Sequence, residues 1–205
     1  MNHLILRLSG FMYGGFTSVI VAMTCRGGHS EAIISVALAI SAMNYYLIGK
    51  LTLKKHAMID TLTKAFNRLA WEMDLKRRDR QEMAVLALDL DHFKSINDTF
   101  GHVMGDSVLQ QVGAVVRQHI RPADVFYRYG GEEFVIVLHD VDLQIALDRG
   151  QSLLELIKSK VRAGEQEVTC SIGVAQGNDL AETFKEADQA LYLAKQQGRN
   201  QVKCL

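Results

Sequence analysis

The chain has 205 residues, of which 22% are charged and 48% are hydrophobic, and this length suffices for one sizeable core and an appendage. The 23 basic side chains balance the 23 acidic ones, so no excess of charge indicates binding to nucleic acid or to an acidic partner. Cys25, Cys170 and Cys204 are far apart and show no zinc-binding spacing, which favours a reducing compartment.

Charge is distributed unevenly along the chain. Two uncharged stretches, 9–25 and 32–49, are separated by a short loop that contains Arg26 and Glu31. As a helix each stretch would extend about 25 Å, which is at the short end of what crosses a bilayer. We therefore predict a membrane hairpin over residues 1–50. The lysines that follow it place both of its ends in the cytoplasm.

Two other interpretations of these stretches stay open. The first stretch could be a secretory signal peptide that ends near Cys25, and the second would then be a lone membrane anchor. Alternatively, both stretches could be buried core helices. The hairpin is preferred because the segment that follows needs no additional helices to complete its core.

The next segment is charged and periodic. Three apolar residues recur at the spacing of one helix face: Leu62, Phe66 and Leu69. Asp60 or Thr63 would cap the start of this helix. We predict a helical linker over 51–59 and a separate domain over 60–205.

Strand and helix patterns alternate in that domain. Residues 83–90 form an apolar run of strand length, which predicts a buried central strand. Asp91 would then cap a helix over 92–99. Later segments indicate helices at 104–120, 141–161 and 179–197, and strands at 125–129, 134–138 and 168–175. The alternation predicts a layered α/β or α+β domain with a partly antiparallel sheet.

The stretch Arg128-Tyr-Gly-Gly-Glu-Glu-Phe134 joins two of these predicted strands. A tight Gly-Gly hairpin is expected to need positive φ, which glycine adopts without steric cost. Bare backbone at its tip would let a phosphate approach, and the two carboxylates that follow would suit Mg²⁺. An ordinary solvated turn explains the same residues equally well.

Asp89 ends the predicted central strand, where a carboxylate is costly unless a cation or hydrogen bonds compensate it. If the strand lies beside the hairpin, Asp89 and Glu132 converge and repel each other. One or two Mg²⁺ ions would relieve the repulsion, an arrangement typical of two-metal phosphoryl or nucleotidyl transfer. The alternative is that Asp89 caps the next helix.

Further polar residues could bind a nucleotide. Lys94 and Asn97 share one helix face. The amide of Asn97 can pair with O6 or N7 of guanine, and the carboxylate of Asp106 can accept from N1–H and the exocyclic amine. Lys195 and Arg199 can reach phosphates. Taken singly, Asn97 and Asp106 are better explained as solvated or capping residues, and Lys195 and Arg199 could merely complement a helix C-terminal dipole.

Five groups of motifs, in family order over about residues 57–203, resemble those of the GGDEF family of diguanylate cyclases, here in a Gly-Gly-Glu-Glu-Phe form. They are Asp60-Thr-Leu-Thr63 with Asn67-Arg68, Asp89 to Asp98 with Gly101-His102 and Gly105-Asp106, Arg128 to Phe134, Ser171 to Ala175, and Ala187 to Asn200. The resemblance implies a palm-like nucleotidyl-cyclase fold in which helices flank a mostly antiparallel central sheet. It implies condensation of two GTP into cyclic di-GMP with release of two pyrophosphates. Together with the predicted membrane hairpin, it places the catalytic domain in the cytoplasm, anchored to a bacterial inner membrane.

The resemblance assigns roles by position. By position, Asp89, the backbone carbonyl of Leu90 and Glu132 would bind Mg²⁺, with Mn²⁺ as the alternative ion. Glu132 would also be the general base for the 3′-hydroxyl of GTP, and Lys94 would stabilise the transition state. Residues assigned to the nucleotide are Asn97, His102, Asp106, Gly130, Gly131, Lys195 and Arg199. Glu133 receives only a supporting role, because adjacent strand residues point apart.

The resemblance also implies regulation and assembly. Arg121 and Asp124 match an RxxD site at which cyclic di-GMP inhibits the family, and their position five residues before the Gly-Gly turn favours this role over a surface ion pair. Each subunit would bind one GTP, so the active form would be a homodimer. A second function stays open, a catalytically silent, membrane-anchored module that binds cyclic di-GMP or GTP. A third possible function is a cyclase that consumes GTP but forms another product.

Overall fold

The computed structural model describes residues 30–76 and 81–205, and it divides into two compact units, Met1–Ala57 and Met58–Leu205. In the first unit the described part is one helix, α1 (Ser30–His56).

The predicted stretch 32–49 is therefore helical, whereas 9–25 lies outside the described residues. None of the helices in the described part of the chain combines the length and the apolar character that crossing a membrane requires.

The second unit alternates helices and strands, as predicted. Its helices are α2 (Arg68–Asp74), α3 (Phe93–Phe100), α4 (His102–His119), α5 (Leu143–Lys160) and α6 (Leu180–Gln196). Its strands are β1 (Met83–Leu90), β2 (Val125–Arg128), β3 (Glu133–His139), β4 (Arg162–Ala163), β5 (Gln166–Glu167), β6 (Cys170–Gly177) and β7 (Val202–Cys204). The short strands β4, β5 and β7 were not predicted, because two or three residues carry no periodic signal.

The main sheet has the order β2-β3-β1-β6-β7, with β4 and β5 forming a separate pair. All neighbours in the main sheet are antiparallel except β6 and β7. Helices pack on both faces, which explains why β1 is apolar along nearly its whole length. The predicted mostly antiparallel sheet flanked by helices is thus confirmed.

Alternation along β1 divides its side chains between the two faces. Leu86 and Leu88 belong to the core that contains residues of α4 and α5, whereas Val85 and Ala87 belong to the core that contains residues of α6 and α2. Because successive strand residues point to opposite faces, Asp89 lies on the α6 face.

The helix predicted through Leu62 and Phe66 is wrong. The helix α2 begins only after Asn67, whose side chain accepts a hydrogen bond from the first turn. The N–H of Phe66 donates to the carbonyl of Phe126 at 2.8 Å, and its own carbonyl accepts from the N–H of Arg128 at 2.7 Å. These bonds to the edge strand override the local helical spacing.

The predicted capping role of Asp91 is also wrong. The helix α3 follows His92, which has φ 56° and makes no side-chain cap. Asp91 is buried and accepts hydrogen bonds from Thr169 Oγ1 (2.8 Å), Ser171 Oγ (2.7 Å) and the N–H of Asn200 (3.0 Å). Its carboxylate therefore joins the end of β1 to the segments that precede and begin β6 and to the segment before β7.

Candidate active site

The Gly-Gly turn links β2 and β3. The N–H groups of Tyr129 and Gly130 both donate to the carbonyl of Glu133, at 2.8 and 3.2 Å. Neither Gly130 nor Gly131 has positive φ, so the prediction of a positive-φ glycine turn is wrong. Gly130 meets a steric demand instead, because a Cβ there would overlap the carboxylate of Glu133, whereas the space around Gly131 is open.

Arg128 ties this turn to the start of the second unit. Its Nε and Nη2 donate to the carbonyl of Gly131 at 3.1 and 2.8 Å, and its Nη1 lies 3.2 Å from each carboxylate oxygen of Asp60. Asp60 also accepts from the N–H and the hydroxyl of Thr63, at 2.8 and 2.6 Å. Asp60 and Thr63 therefore anchor the turn and do not cap a helix.

The electrostatics of Asp60 agree with this role. Burial by itself would raise the pKa of its carboxyl. The hydrogen bonds from Thr63 and the positive charge of Arg128 outweigh burial and hold the pKa below its ordinary value. Asp60 is consequently ionised at neutral pH.

A cavity of about 460 Å³ lies among α3, α4 and the turn. Residues predicted to bind nucleotide or to act in catalysis line it together: Lys94, Asn97, His102, Asp106, Gly131 and Glu132. Its volume is in the range of small-molecule sites. The predicted shared face of Lys94 and Asn97 is confirmed by their common position in this wall.

Gly105 determines where Asn97 can lie. A Cβ on Gly105 would overlap the side-chain amide of Asn97 and would lie 3.2 Å from the ring of Phe93. The close approach of α4 to α3 at this point therefore depends on glycine.

A second group of polar side chains lies at the end of β1. Asp89 and Glu133 are partners in the β1–β3 register, so both face α6. Lys195 of α6 contacts Asp89, with 2.9 Å between Nζ and Oδ2. Glu132, one residue before β3, lines the cavity instead. Glu133 was predicted to have only a supporting role because adjacent strand residues point apart. In the structure the same alternation places Glu133, and not Glu132, directly across from Asp89.

Burial raises the pKa of Asp89, and the hydrogen bond and charge of Lys195 oppose this only in part. Burial also raises the pKa of Glu133, and the negative charge of Asp89 adds to the effect. Glu133 is exposed, so solvent screens the effect of the Asp89 charge on its pKa. Arg199, also exposed, adds positive charge near Asp89. Asp89 and Glu133 thus form a pair of like charges that a cation would relieve, and Lys195 is the cation that contacts Asp89 in this structure.

The oxygen donors at this end of the sheet suit Mg²⁺ or Mn²⁺ chemically. They are carboxylates, together with the carbonyl of Leu90, and such hard ligands are those that these ions prefer. In the described ranges 30–76 and 81–205, no group of three or more His, Cys, Asp or Glu side chains is arranged to hold a metal. The donor set fits such an ion, but Asp89 is engaged by Lys195.

The residues predicted to be regulatory lie in different environments. The side chain of Asp124 is fully buried, and it accepts from Arg149 Nη1 at 3.0 Å and from the N–H of Arg121 at 2.8 Å. Its other oxygen lies 3.4 Å from the N–H of His139. Arg121 is exposed. Arg149, which no sequence pattern singled out, is therefore the side-chain ion-pair partner of Asp124.

Known proteins resemble this chain in sequence and in fold. Residues 57–201 match the family described as diguanylate cyclase, GGDEF domain. The chain is 39% identical over 165 residues to the diguanylate cyclase DgcP of Pseudomonas aeruginosa and 40% identical over 166 residues to the probable diguanylate cyclase DgcT of Escherichia coli. Each match covers 73% of this chain but only 24% and 36% of those relatives, so the chain spans about a quarter to a third of their length.

Solved structures of GGDEF and GGEEF domains have the same fold as this chain. The coiled coil and GGDEF domain of DgcB from Caulobacter crescentus, in complex with c-di-GMP, superposes with a TM-score of 0.74 at 26% identity, covering 87% of this chain and 100% of that one. The active GGEEF domain of a diguanylate cyclase from Vibrio cholerae gives a TM-score of 0.57 at 30% identity, covering 66% of this chain and 88% of that one. By sequence and by fold, this chain belongs to the diguanylate cyclase GGDEF domain family.

Proposed function

We propose that this chain is an active diguanylate cyclase that condenses two GTP into cyclic di-GMP and releases two pyrophosphates. The observation that carries the proposal is the complete Gly-Gly-Glu-Glu-Phe turn beside a cavity lined by Lys94, Asn97, Asp106 and Glu132. The relatives named diguanylate cyclase support the same reaction.

The cavity would bind guanine. Asn97 would pair with O6 or N7, and Asp106 would accept from N1–H and the 2-amino group, while His102 lines the same wall. Adenine lacks both of the donors that Asp106 requires, so its binding would leave a carboxylate facing a lone pair. The site should therefore discriminate strongly against ATP.

The reaction would take place at the mouth of the turn. The 3′-hydroxyl oxygen of one GTP attacks the α-phosphorus of the other, and the bond from that phosphorus to the leaving pyrophosphate breaks. Glu132 accepts the hydroxyl proton, and Lys94 faces the negative charge that develops on the phosphate. The same step in the opposite direction closes the ring. Because each chain holds one GTP, two copies must face each other in a homodimer.

Asp89, the carbonyl of Leu90 and Glu132 are the residues that would hold Mg²⁺ or Mn²⁺. When bound, such an ion supplies polarisation of the phosphates and a lower pKa for the attacking hydroxyl. The open space around Gly131 leaves room for the triphosphate, and Gly130 would contact it through its backbone. Lys195 and Arg199 would contact it from the end of α6 and the segment that follows.

Incubation of the purified full chain with GTP and Mg²⁺, followed by mass spectrometry of the products, tests the proposal. Cyclic di-GMP is the expected product, and Glu132→Gln should abolish it without lowering the melting temperature. A different cyclic product would identify another cyclase. No product at any protein concentration, with cyclic di-GMP still bound, would favour the silent binding module.

Product inhibition would use the exposed side chain of Arg121, whose backbone N–H donates to the buried Asp124. A guanidinium suits both the phosphates and the guanine edge of cyclic di-GMP. Arg121→Ala should relieve inhibition and weaken cyclic di-GMP binding while the initial rate stays unchanged. Inhibition that persists unaltered in Arg121→Ala would exclude this site.

Attachment to a bacterial inner membrane, with the catalytic unit in the cytoplasm, remains a proposal from the sequence. Its support is that Arg26 and Glu31 are the formally charged residues between positions 8 and 49. Cell fractionation of the full chain tests it. Recovery in the soluble fraction without detergent would refute it.

A further inference from the structure

Lys195 holds the carboxylate that is proposed to bind the metal ion. Its Nζ lies 2.9 Å from Asp89 Oδ2, with side-chain exposures of 31% for the lysine and 13% for the aspartate. Asp89 ends a buried strand, and Glu133 lies opposite it in the register. An anion in this position requires a positive partner, and Lys195 provides one.

A lysine is suited to a contact that must later be broken. Its ammonium group is a compact point charge on a flexible stem, so it can stand where a cation would stand and then move without disturbing the backbone. Lys195 keeps partial access to water, so its ammonium can leave the pair and be solvated once another cation takes its place at Asp89. The buried Asp91 shows the contrast, since its oxygens are held by hydroxyl and backbone donors that belong to the fold itself.

We propose that Lys195 is an exchangeable counter-ion: it neutralises Asp89 in the metal-free protein and is displaced toward the nucleotide phosphates when a divalent ion binds Asp89. The inference rests on the proposed function for the roles of Asp89 and of the phosphates. The exchange leaves Asp89 compensated at each stage. It also couples the two ligands, because the ion that displaces Lys195 frees a positive charge for the triphosphate.

The two contacts of Lys195 give Lys195→Met opposite effects on metal and nucleotide. Calorimetric titration of the metal-free full chain with Mn²⁺ should show binding about three- to tenfold tighter than in wild type, because the ion no longer competes with an ammonium. GTP should bind more weakly. A residue that contacts only phosphate would leave the affinity for Mn²⁺ unchanged. Lys185→Met, a position on the same helix, should change neither affinity.

Thermal unfolding provides a second readout. In chelator, Lys195→Met should unfold about 2–4 °C below wild type, and saturating Mn²⁺ should remove the difference. If Lys195→Met proves too unstable to titrate, the double variant Asp89→Asn with Lys195→Met should recover the loss, because no charge is then left alone. Lys195→Arg should keep wild-type stability in chelator.

Mn²⁺ affinity in Lys195→Met equal to or below that of wild type would overturn the exchange, as would a stability loss that Mn²⁺ does not repair. The proposed function fails separately. Tighter Mn²⁺ binding without cyclic di-GMP synthesis would refute the cyclase and keep the exchange. Cyclic di-GMP synthesis by the wild type, with the Mn²⁺ affinity of Lys195→Met equal to that of wild type, would keep the cyclase and refute the exchange.

Discussion

Replacement of Asp60 by asparagine should loosen the Gly-Gly turn from a distance. Asp60 and Arg128 are 68 positions apart, and Arg128 in turn holds the carbonyl of Gly131. The substituted asparagine would keep one acceptor oxygen but lose the negative charge that orients the guanidinium. The change therefore tests whether the start of this unit positions the nucleotide turn.

The expected cost follows from the bonds that are lost. A hydrogen bond to a charged group contributes about 1.5–3 kcal/mol when it is fully removed. Asparagine retains part of these contacts, and both side chains are 19% exposed, so water compensates further. We expect a net loss of about 2 kcal/mol in the free energy of unfolding, which corresponds to a melting temperature about 4–8 °C lower for a unit of this size.

The loss should depend on pH in a defined direction. The pKa of Asp60 lies below its ordinary value of 3.8, so the ionised carboxylate stabilises the folded state above that value. This contribution decreases as the pH falls from 3.8 through the lower pKa of the folded protein. Thermal unfolding of wild type and Asp60→Asn should therefore differ most at neutral pH and converge in acid.

Nucleotide binding supplies the functional readout. With the carbonyl of Gly131 less firmly held, GTP affinity should fall about fivefold, or about 1 kcal/mol. Glu72→Gln is the matched control, because Arg68 and Glu72 form an exposed ion pair of similar length, 3.2 Å, with exposures of 64% and 52%. That variant should lose less than about 0.5 kcal/mol. Equal losses in Asp60→Asn and Glu72→Gln, or a penalty that persists in acid, would refute the anchoring role.

Three further substitutions have separable expected effects. Gly105→Ala should lower GTP affinity about tenfold, because the added methyl displaces the side chain of Asn97, and it should lower the melting temperature slightly, because the methyl lies 3.2 Å from the buried ring of Phe93. Calorimetry with GTP checks the affinity, and an unchanged value would contradict the prediction. Gly173→Ala should lower the free energy of unfolding, measured by chemical denaturation, by more than about 3 kcal/mol, because its Cβ would overlap the backbone of Ala187 and Leu191 in α6. A decrease of less than about 1 kcal/mol would show that α6 can shift to make room. Glu133→Gln should stabilise the metal-free protein at neutral pH, because the pKa of Glu133 is raised and its ionised form is disfavoured in the folded state. Thermal unfolding should show this gain decreasing as the pH falls below 4.5, the ordinary pKa of a glutamate, and a variant that is less stable than wild type at neutral pH would contradict the prediction.

The periodic features of the chain were predictable from the residues. The run that became β1 is apolar at consecutive positions, as a strand covered on both faces requires, and the Gly-Gly pair marked the hairpin between β2 and β3. Lys94 and Asn97 were placed on one face of α3 because a helix repeats every 3.6 residues. In each case the information lies within a few neighbouring residues, which is the range over which backbone geometry acts.

Tertiary structure decided the partners of the polar side chains. Asp91 has the local pattern of a helix cap, yet its hydrogen-bond donors come from Thr169, Ser171 and Asn200, which follow it by 78, 80 and 109 positions. Phe66 completes a helical spacing, yet its backbone joins the edge of the sheet. A local pattern shows which side of an element is buried, but it does not show which distant element covers that side. The long-range pairing of Asp60 with Arg128 and of Asp89 with Lys195 therefore became visible only when the strands and α6 were packed together, because hydrogen bonds and ion pairs form at contact distance and carry no signature along the chain.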